Sequence, residues 1–144
     1  MYERILLPTD GSEGSAAAAD HAIDLATRYG ASLHVVYVVD TELVPDSGTF
    51  NLYVALEGAG ETAVEDIAVR ARDAGVESVE SSIEQGRPHR AILEYADEHA
   101  VDLVVMGTHG RTGIERYLLG SVAEKVVRTC PVPVLTVRTP ESSE

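Results

Sequence analysis

Five short runs rich in β-branched residues alternate along this chain with four longer segments of helical period, and few architectures accommodate that order. The runs are Arg4 to Thr9, Ser32 to Val39, Glu77 to Ile83, Asp102 to Gly107 and Val132 to Val137. The second holds Leu33, Val35, Val36, Val38 and Val39, and the fourth holds Leu103-Val104-Val105-Met106. Such continuous apolar runs predict strands covered on both faces, as in a parallel sheet. The third run alternates and predicts a more exposed strand. The helical segments start near Ser12, Leu52, Pro88 and Ser121. Their expected buried faces are Ala18, Ala22, Leu25 and Tyr29, then Val64, Ile67, Ala68 and Ala71, then Ile92, Tyr95 and Ala96, then Val122, Val126 and Val127. Gly30 and Gly75 supply C-terminal stops, and Pro88 suits a first turn. Ser121 and Glu124 have capping-box spacing. Together these signals predict an open, doubly wound α/β sheet with helices on both faces.

A chain of 144 residues fits one domain, residues 1–144, with a flexible tail at 139–144. Asp40 to Asn51 is the longest connection without a pattern and reads as a loop. The formal charge is −13, from 24 acids against 11 bases, and Lys125 is the single lysine. Such a surface repels phosphate backbones and anionic lipids, so nucleic-acid and membrane-surface partners are disfavoured. Adaptation to high salt, where screening relieves the self-repulsion, is one consequence open to test. No apolar run approaches the roughly 18 residues of a membrane span. The opening Arg4-Ile5-Leu6-Leu7-Pro8 lacks the pattern of a signal peptide, and a lone Cys130 fits a reducing compartment; a cytoplasmic location is the expectation. Cys130 lies beside Val126, Val127 and Val132 and reads as a buried structural thiol.

In doubly wound sheets ligands bind beyond the carboxyl ends of the strands, where the winding reverses. Strand one exits through Pro8-Thr9-Asp10-Gly11-Ser12. There Asp10 or Ser12 caps the next helix, or Asp10 meets a ribose hydroxyl or a base; the two readings are compatible. Strand four exits through Met106-Gly107-Thr108-His109-Gly110-Arg111 and rejoins a helix at Gly120-Ser121-Val122. Glycines let backbone approach a ligand, and free N–H groups at a helix start attract phosphate. A lone Gly-x-x-Gly is weak evidence. Gly107-x-x-Gly110, nine residues, then Gly120-Ser121, in a strand-loop-helix context, is far more specific.

Other site chemistries are not in the sequence. There is no Gly-x-x-x-x-Gly-Lys-Ser/Thr, no Gly-x-Ser-x-Gly and no Gly-x-Gly-x-x-Gly after strand one. His21, His34, His89, His99 and His109 form no metal-binding spacing, and only His109 has a site context. No water-activating base is evident, so no catalytic residue is assigned.

The chain resembles the universal stress protein family over nearly its whole length. The likeness is carried by Ile5-Leu6-Leu7-Pro8-Thr9-Asp10-Gly11-Ser12, Asp102 through Gly110, Leu118-Leu119-Gly120-Ser121-Val122-Ala123 and Cys130-Pro131-Val132-Pro133-Val134-Leu135. Its intact Gly-x-x-Gly, nine residues, Gly-Ser is similar to the family's ATP-binding branch. The resemblance implies a five-stranded sheet of order 3-2-1-4-5, with the adenine nucleotide alpha hydrolase-like fold. It implies ATP, or ADP or AMP, as ligand. Asp10 would lie near adenine and ribose, Val38 would meet adenine through its backbone, Gly107 would face the ribose, and Pro8, Thr9 and Met106 would also belong to the nucleotide site. His109, Gly110, Gly120, Ser121 and Val122 would surround the phosphates. Arg111 and Arg116 either reach phosphate or belong to a solvated loop. Mg2+ or Mn2+ would come with the triphosphate, with Asp10 the nearest carboxylate. A homodimer through the terminal strand, residues 132–138, is also expected, since an apolar edge needs cover. Three function classes stay open: a nucleotide-responsive regulator in stress response, a slow ATP hydrolase, and an interaction protein without nucleotide.

Overall fold

The computed structural model describes residues 1–40, 50–108 and 120–138. Its elements are β1 (Arg4–Thr9), α1 (Glu13–Tyr29), β2 (Ser32–Asp40), α2 (Phe50–Asp73), β3 (Val79–Gly86), α3 (Pro88–Glu98), β4 (Leu103–Gly107), α4 (Ser121–Thr129) and β5 (Val134–Val137). The strands form one sheet of order β3-β2-β1-β4-β5, and every neighbouring pair is parallel. Winding proceeds outward from β1 to β3, returns across the sheet, and proceeds outward again from β4 to β5. The reversal lies between β1 and β4.

Strand alternation sends side chains to two cores. Ile5, Leu7, Leu33, Val35, Tyr37, Leu103 and Val105 pack beneath α1 and α2, with Ala18, Ala19, Ala22, Val64, Ile67 and Ala71 from the helices. Leu6, Val36, Val104 and Met106 pack beneath α3 and α4, with Ile92, Tyr95, Ala96, Ala123 and Val126. Alanines along α1 let that helix sit close to the sheet. Burial of both faces explains the continuous apolar runs of β2 and β4.

Several expected boundaries shift: β2 runs on to Asp40 and α2 already begins at Phe50, so both ends of the segment 40–51 read as a loop belong to regular elements. β3 starts at Val79 and runs to Gly86, because its register with β2 extends from Leu33↔Val79 to Asp40↔Gly86. β5 starts at Val134, after Pro133, which has no N–H for a ladder. Two face assignments are corrected: Tyr29 is 43% exposed, its ring edge-on to Tyr2, and Val127 is 43% exposed, since α4 buries Ala123 and Val126 instead. Cys130 is half-buried against the second core, not fully enclosed. Among the described residues no helix is long and apolar enough to cross a membrane. The expectations for residues 41–49 and for the tail at 139–144 lie outside the described residues.

His34 is the buried polar side chain of the second core. Its Nδ1 lies 2.7 Å from the Tyr95 hydroxyl. Burial holds the His34 pKa below the ordinary imidazole value, with the charges of His99 and Arg4 acting the same way and Glu80 acting against them. Burial, together with Glu80 and Glu84, pushes the Tyr95 pKa up to about 12. A neutral ring therefore accepts the Tyr95 proton at Nδ1. His99 stacks on the Tyr95 ring, centroids 3.8 Å apart, and its Nδ1–H donates to the Tyr95 carbonyl at 3.0 Å. His34 and His99 thus serve packing between α3 and β2.

Candidate functional site

The reversal between β1 and β4 brings two strand exits together at the carboxyl edge. The first, from β1 into α1, is a turn built from its own side chains. Gly11 takes φ 81°, the left-handed region that glycine occupies without strain. Its N–H donates to Thr9 Oγ1 at 3.2 Å. Asp10 Oδ1 accepts the Ser12 N–H at 2.9 Å and the Ser15 hydroxyl at 2.8 Å. Ser12 is the N-cap of α1, with φ −84° and ψ 171°, and its side chain accepts the Ser15 N–H at 3.2 Å. Both readings of Asp10 are therefore compatible with this turn: Ser12 does the capping, while Asp10 is oriented by the first turn of the helix and stays partly exposed.

At the second exit, from β4 toward α4, backbone bonds tie the described ends together. Thr108 N–H donates to the Val137 carbonyl at 2.9 Å, and the Thr108 carbonyl accepts the Gly120 N–H at 2.7 Å. That last bond ties the strand exit directly to the helix entry. His109, Gly110, Arg111 and Arg116 lie between these ends, outside the described residues. The N-cap of α4 is Gly120, φ −66° and ψ 164°, and no side chain caps it. This corrects the capping-box expectation for Ser121 and Glu124. Ser121 is the first helical residue, one place too late for its hydroxyl to reach back to the leading N–H groups. The first acid of the helix, Glu124, would oppose an anion at this end, but its carboxylate accepts from Arg128 Nη2 at 2.7 Å one turn on.

The two exits touch at a pair of glycines. A Cβ placed on Gly107 would meet the backbone carbon and oxygen of Gly14 at 2.9 Å. Gly14 is buried in the first turn of α1. Gly107 must thus lack a side chain so that β4 and α1 can approach, independently of any ligand.

The other expected site residues divide by what they present. Pro8 and Thr9 are buried in β1, paired with Val36 and Tyr37, so they shape the turn from below. Met106 buries its side chain beneath α3 and α4, opposite Thr136, which leaves its backbone for the edge. Val38, paired with Glu84 near the end of β2, is half-buried at the same edge. Gly120 and Val122 are half-buried and Ser121 is exposed at the start of α4. Two contributors went unread in the sequence, Gly14 and Ser15. The signal for Ser15 was its spacing, three residues past the cap; for Gly14 it was a glycine in an alanine-rich helix. Among the described residues no group of three or more His, Cys, Asp or Glu side chains could hold a metal ion.

Chemically, the edge presents a fixed carboxylate on one side and uncapped helix N–H groups on the other. The first accepts hydrogen bonds and the second donates them.

Comparison with known proteins gives the same architecture. The model of the universal stress protein family matches residues 1–138. Universal stress protein MJ0531 of Methanocaldococcus jannaschii is 39% identical over 145 residues, spanning 98% of this chain and 85% of that protein. The solved structure of MJ0577, from the same organism, superposes with a TM-score of 0.89 at 33% identity and covers 99% of both chains. A universal stress protein solved in complex with cAMP superposes with a TM-score of 0.75 at 29% identity, covering 96% of this chain and 98% of its own. A family match over this span, with relatives of this identity aligned along most of their length, means that the chain belongs to the universal stress protein family.

Proposed function

We propose that this protein binds ATP or a related adenine nucleotide at the carboxyl edge between β1 and β4, and acts as a regulatory protein in stress response. The observation that carries the reading is the bond from Gly120 N–H to the Thr108 carbonyl. It sets the uncapped start of α4 beside the strand exit that rests on the Asp10 turn. Phosphate suits the helix start, where N–H groups and the dipole favour an anion and the N-cap Gly120 offers no side-chain cap bond. A ribose suits the carboxylate, which accepts from hydroxyls. A family member in complex with cAMP supports an adenine ligand. In this reading Asp10 meets the ribose or base and the Val38 backbone meets adenine. Gly107 lies under the ribose. His109, Gly110, Arg111, Gly120, Ser121 and Val122 surround the phosphates. Mg2+ or Mn2+ enters with the triphosphate. The protein works in the cytoplasm as a homodimer joined through residues 132–138. Support for that interface is an outer strand of the sheet with Leu135 exposed.

The test is mass spectrometry of nucleotide released from the purified, denatured protein, joined to calorimetry with added ATP. Adenine nucleotide is expected from the wild type, with binding lost in Gly110→Val and weakened in Ser121→Ala. A wild type that releases no nucleotide and gives no heat with ATP would overturn the reading. Light scattering at micromolar concentration tests the dimer, and a monomeric mass would remove it.

A further inference from the structure

We infer that Ser15 is a positioning residue that sets the site's preference for ribonucleotides over deoxyribonucleotides, acting only through Asp10. The inference rests on the nucleotide reading and adds to it the group that makes the sugar matter. Ser15 is 7% exposed. Its hydroxyl has one proton and two lone pairs to use. The proton goes to Asp10 Oδ1 at 2.8 Å. The lone pairs take the Asp10 N–H at 3.0 Å and the Ser12 hydroxyl at 3.3 Å. Nothing on this hydroxyl is left for a ligand, so Ser15 cannot act by contact. It grips Asp10 from both sides, by the backbone N–H and by the carboxylate.

That double grip fixes the carboxylate before any ligand arrives. Oδ1 is held by the Ser15 hydroxyl and by the Ser12 N–H, and these two directions set the plane of the group. An ionised carboxylate only accepts hydrogen bonds, so its natural partner on a nucleotide is a sugar hydroxyl. A site built to pair a hydroxyl rejects the analogue that lacks it, because its polar group is then left unpaired. The strength of that rejection depends on how firmly the polar group is held in place. Without the Ser15 hydroxyl, Oδ1 loses one of these two directions, and the carboxylate can rotate about the remaining Ser12 N–H bond.

The experiment measures calorimetric affinities for ATP, 2′-deoxy-ATP and 3′-deoxy-ATP. The proteins are the full chain and its Ser15→Ala, Asp10→Ala and double variants. The wild type is expected to prefer ATP over at least one deoxy analogue by about ten-fold, the scale of one hydrogen bond to a charged group. Ser15→Ala should bring that ratio close to one. Ser15→Thr, which keeps the hydroxyl, should retain most of it. In the Asp10→Ala background, adding Ser15→Ala should leave the ratio where it is, because the residue has no other route to the ligand. The idea is overturned if Ser15→Ala weakens ATP and both analogues by the same factor, which is the mark of a purely structural serine. It is overturned as well if the ratio in Ser15→Ala matches the wild type, or if Ser15→Ala still shifts it without Asp10. A wild type that binds none of the three nucleotides instead removes the underlying assignment of the site. Should Ser15→Ala fail to fold, Ser15→Cys keeps the test alive. Its thiol is only a weak donor to Asp10 Oδ1, so the preference should fall well below that of the wild type, and a ten-fold ratio that survives in it would sink the proposal.

Discussion

Two aspartates at opposite ends of the sheet accept hydrogen bonds from backbone, and they do different work. Asp102 lies at the amino edge, just before β4. Its Oδ2 accepts the Glu3 N–H at 2.9 Å and its Oδ1 accepts the Arg4 N–H at 3.1 Å. The same residue's N–H donates to the Arg4 carbonyl at 2.9 Å. These bonds join positions 98 and 99 apart in sequence, so they clamp β1 to β4 across a very long loop. Asp10 lies at the carboxyl edge, where its Oδ1 accepts from donors 2 and 5 residues away. A bond within one turn closes almost no loop. Its effect is to orient the carboxylate. Reach in sequence thus separates an aspartate that stabilises the fold from one that prepares a site.

The largest effect expected from this contrast is at the amino edge. Asp102→Ala removes two charge-assisted bonds and leaves the first N–H groups of β1 without their acceptor. It should cost about 2 kcal/mol, near the lower end for bonds to a charged group because the donors are exposed. Urea unfolding followed by circular dichroism measures it. The ratio of ATP to deoxy-ATP affinity should not move. An Asp102→Ala protein with wild-type stability, or with altered sugar preference, would break the division between the two edges.

How far each edge was legible in the sequence follows from the kind of signal it carries. The order of strands and helices was readable because burial on both faces writes a continuous apolar run, as in Leu103 to Met106. The glycine pattern from Gly107 to Gly120 was readable because its spacing fits a strand exit and a helix entry. What spacing does not report is which glycine answers to which need. Gly107 faces the Gly14 backbone and Gly120 serves as an N-cap, and both look alike as letters. The capping box at Ser121 and Glu124 failed for a related reason. Sequence gives the interval between the two residues, while the start of the helix is set by the bond from Glu124 N–H to the Gly120 carbonyl. Asp102 was silent because its partners are distant in sequence, and the spacing of Ser15 from the cap does not name Asp10 as its partner, which only the folded turn brings to it.

A second expected effect uses pH, and it also belongs to the fold rather than the site. His34 sits in β2 beside Leu6 of β1, under Tyr95. The groups facing it are Glu80 on β3, Tyr95 and His99 at the α3 side, and Arg4 on β1. Burial holds its pKa in the folded protein below the ordinary imidazole value of 6.5. The unfolded chain therefore takes up a proton first as pH falls. Stability is fully present above about pH 6.5 and declines as pH drops through the window below it, down to the folded value. Carboxylates add their own slope at lower pH, so the His34 share is the difference from His34→Gln, whose amide can still accept from Tyr95. Denaturation midpoints at pH 7.5, 6 and 5 should fall more steeply in the wild type than in the variant. Parallel slopes would mean that the imidazole is not held neutral by its burial.

The smallest effect sharpens the comparison within the Asp10 turn itself. Ser12 contributes to it in two separable ways. Its side chain caps α1 by accepting the Ser15 N–H, while its backbone N–H donates to Asp10 Oδ1. Ser12→Ala deletes the cap and keeps the backbone donor. Loss of a serine cap costs about 1 kcal/mol, so a small drop in the urea midpoint is expected. Asp10 Oδ1 still accepts from the Ser12 N–H and the Ser15 hydroxyl, and besides the cap the 3.3 Å contact between the two serines disappears. Ser12→Ala should therefore move stability more than sugar preference, and Ser15→Ala the reverse. Two serines three residues apart would then report on different quantities. If the two variants lower stability and preference in the same proportion, the turn behaves as one structural unit, and orientation of Asp10 is not a separate task within it.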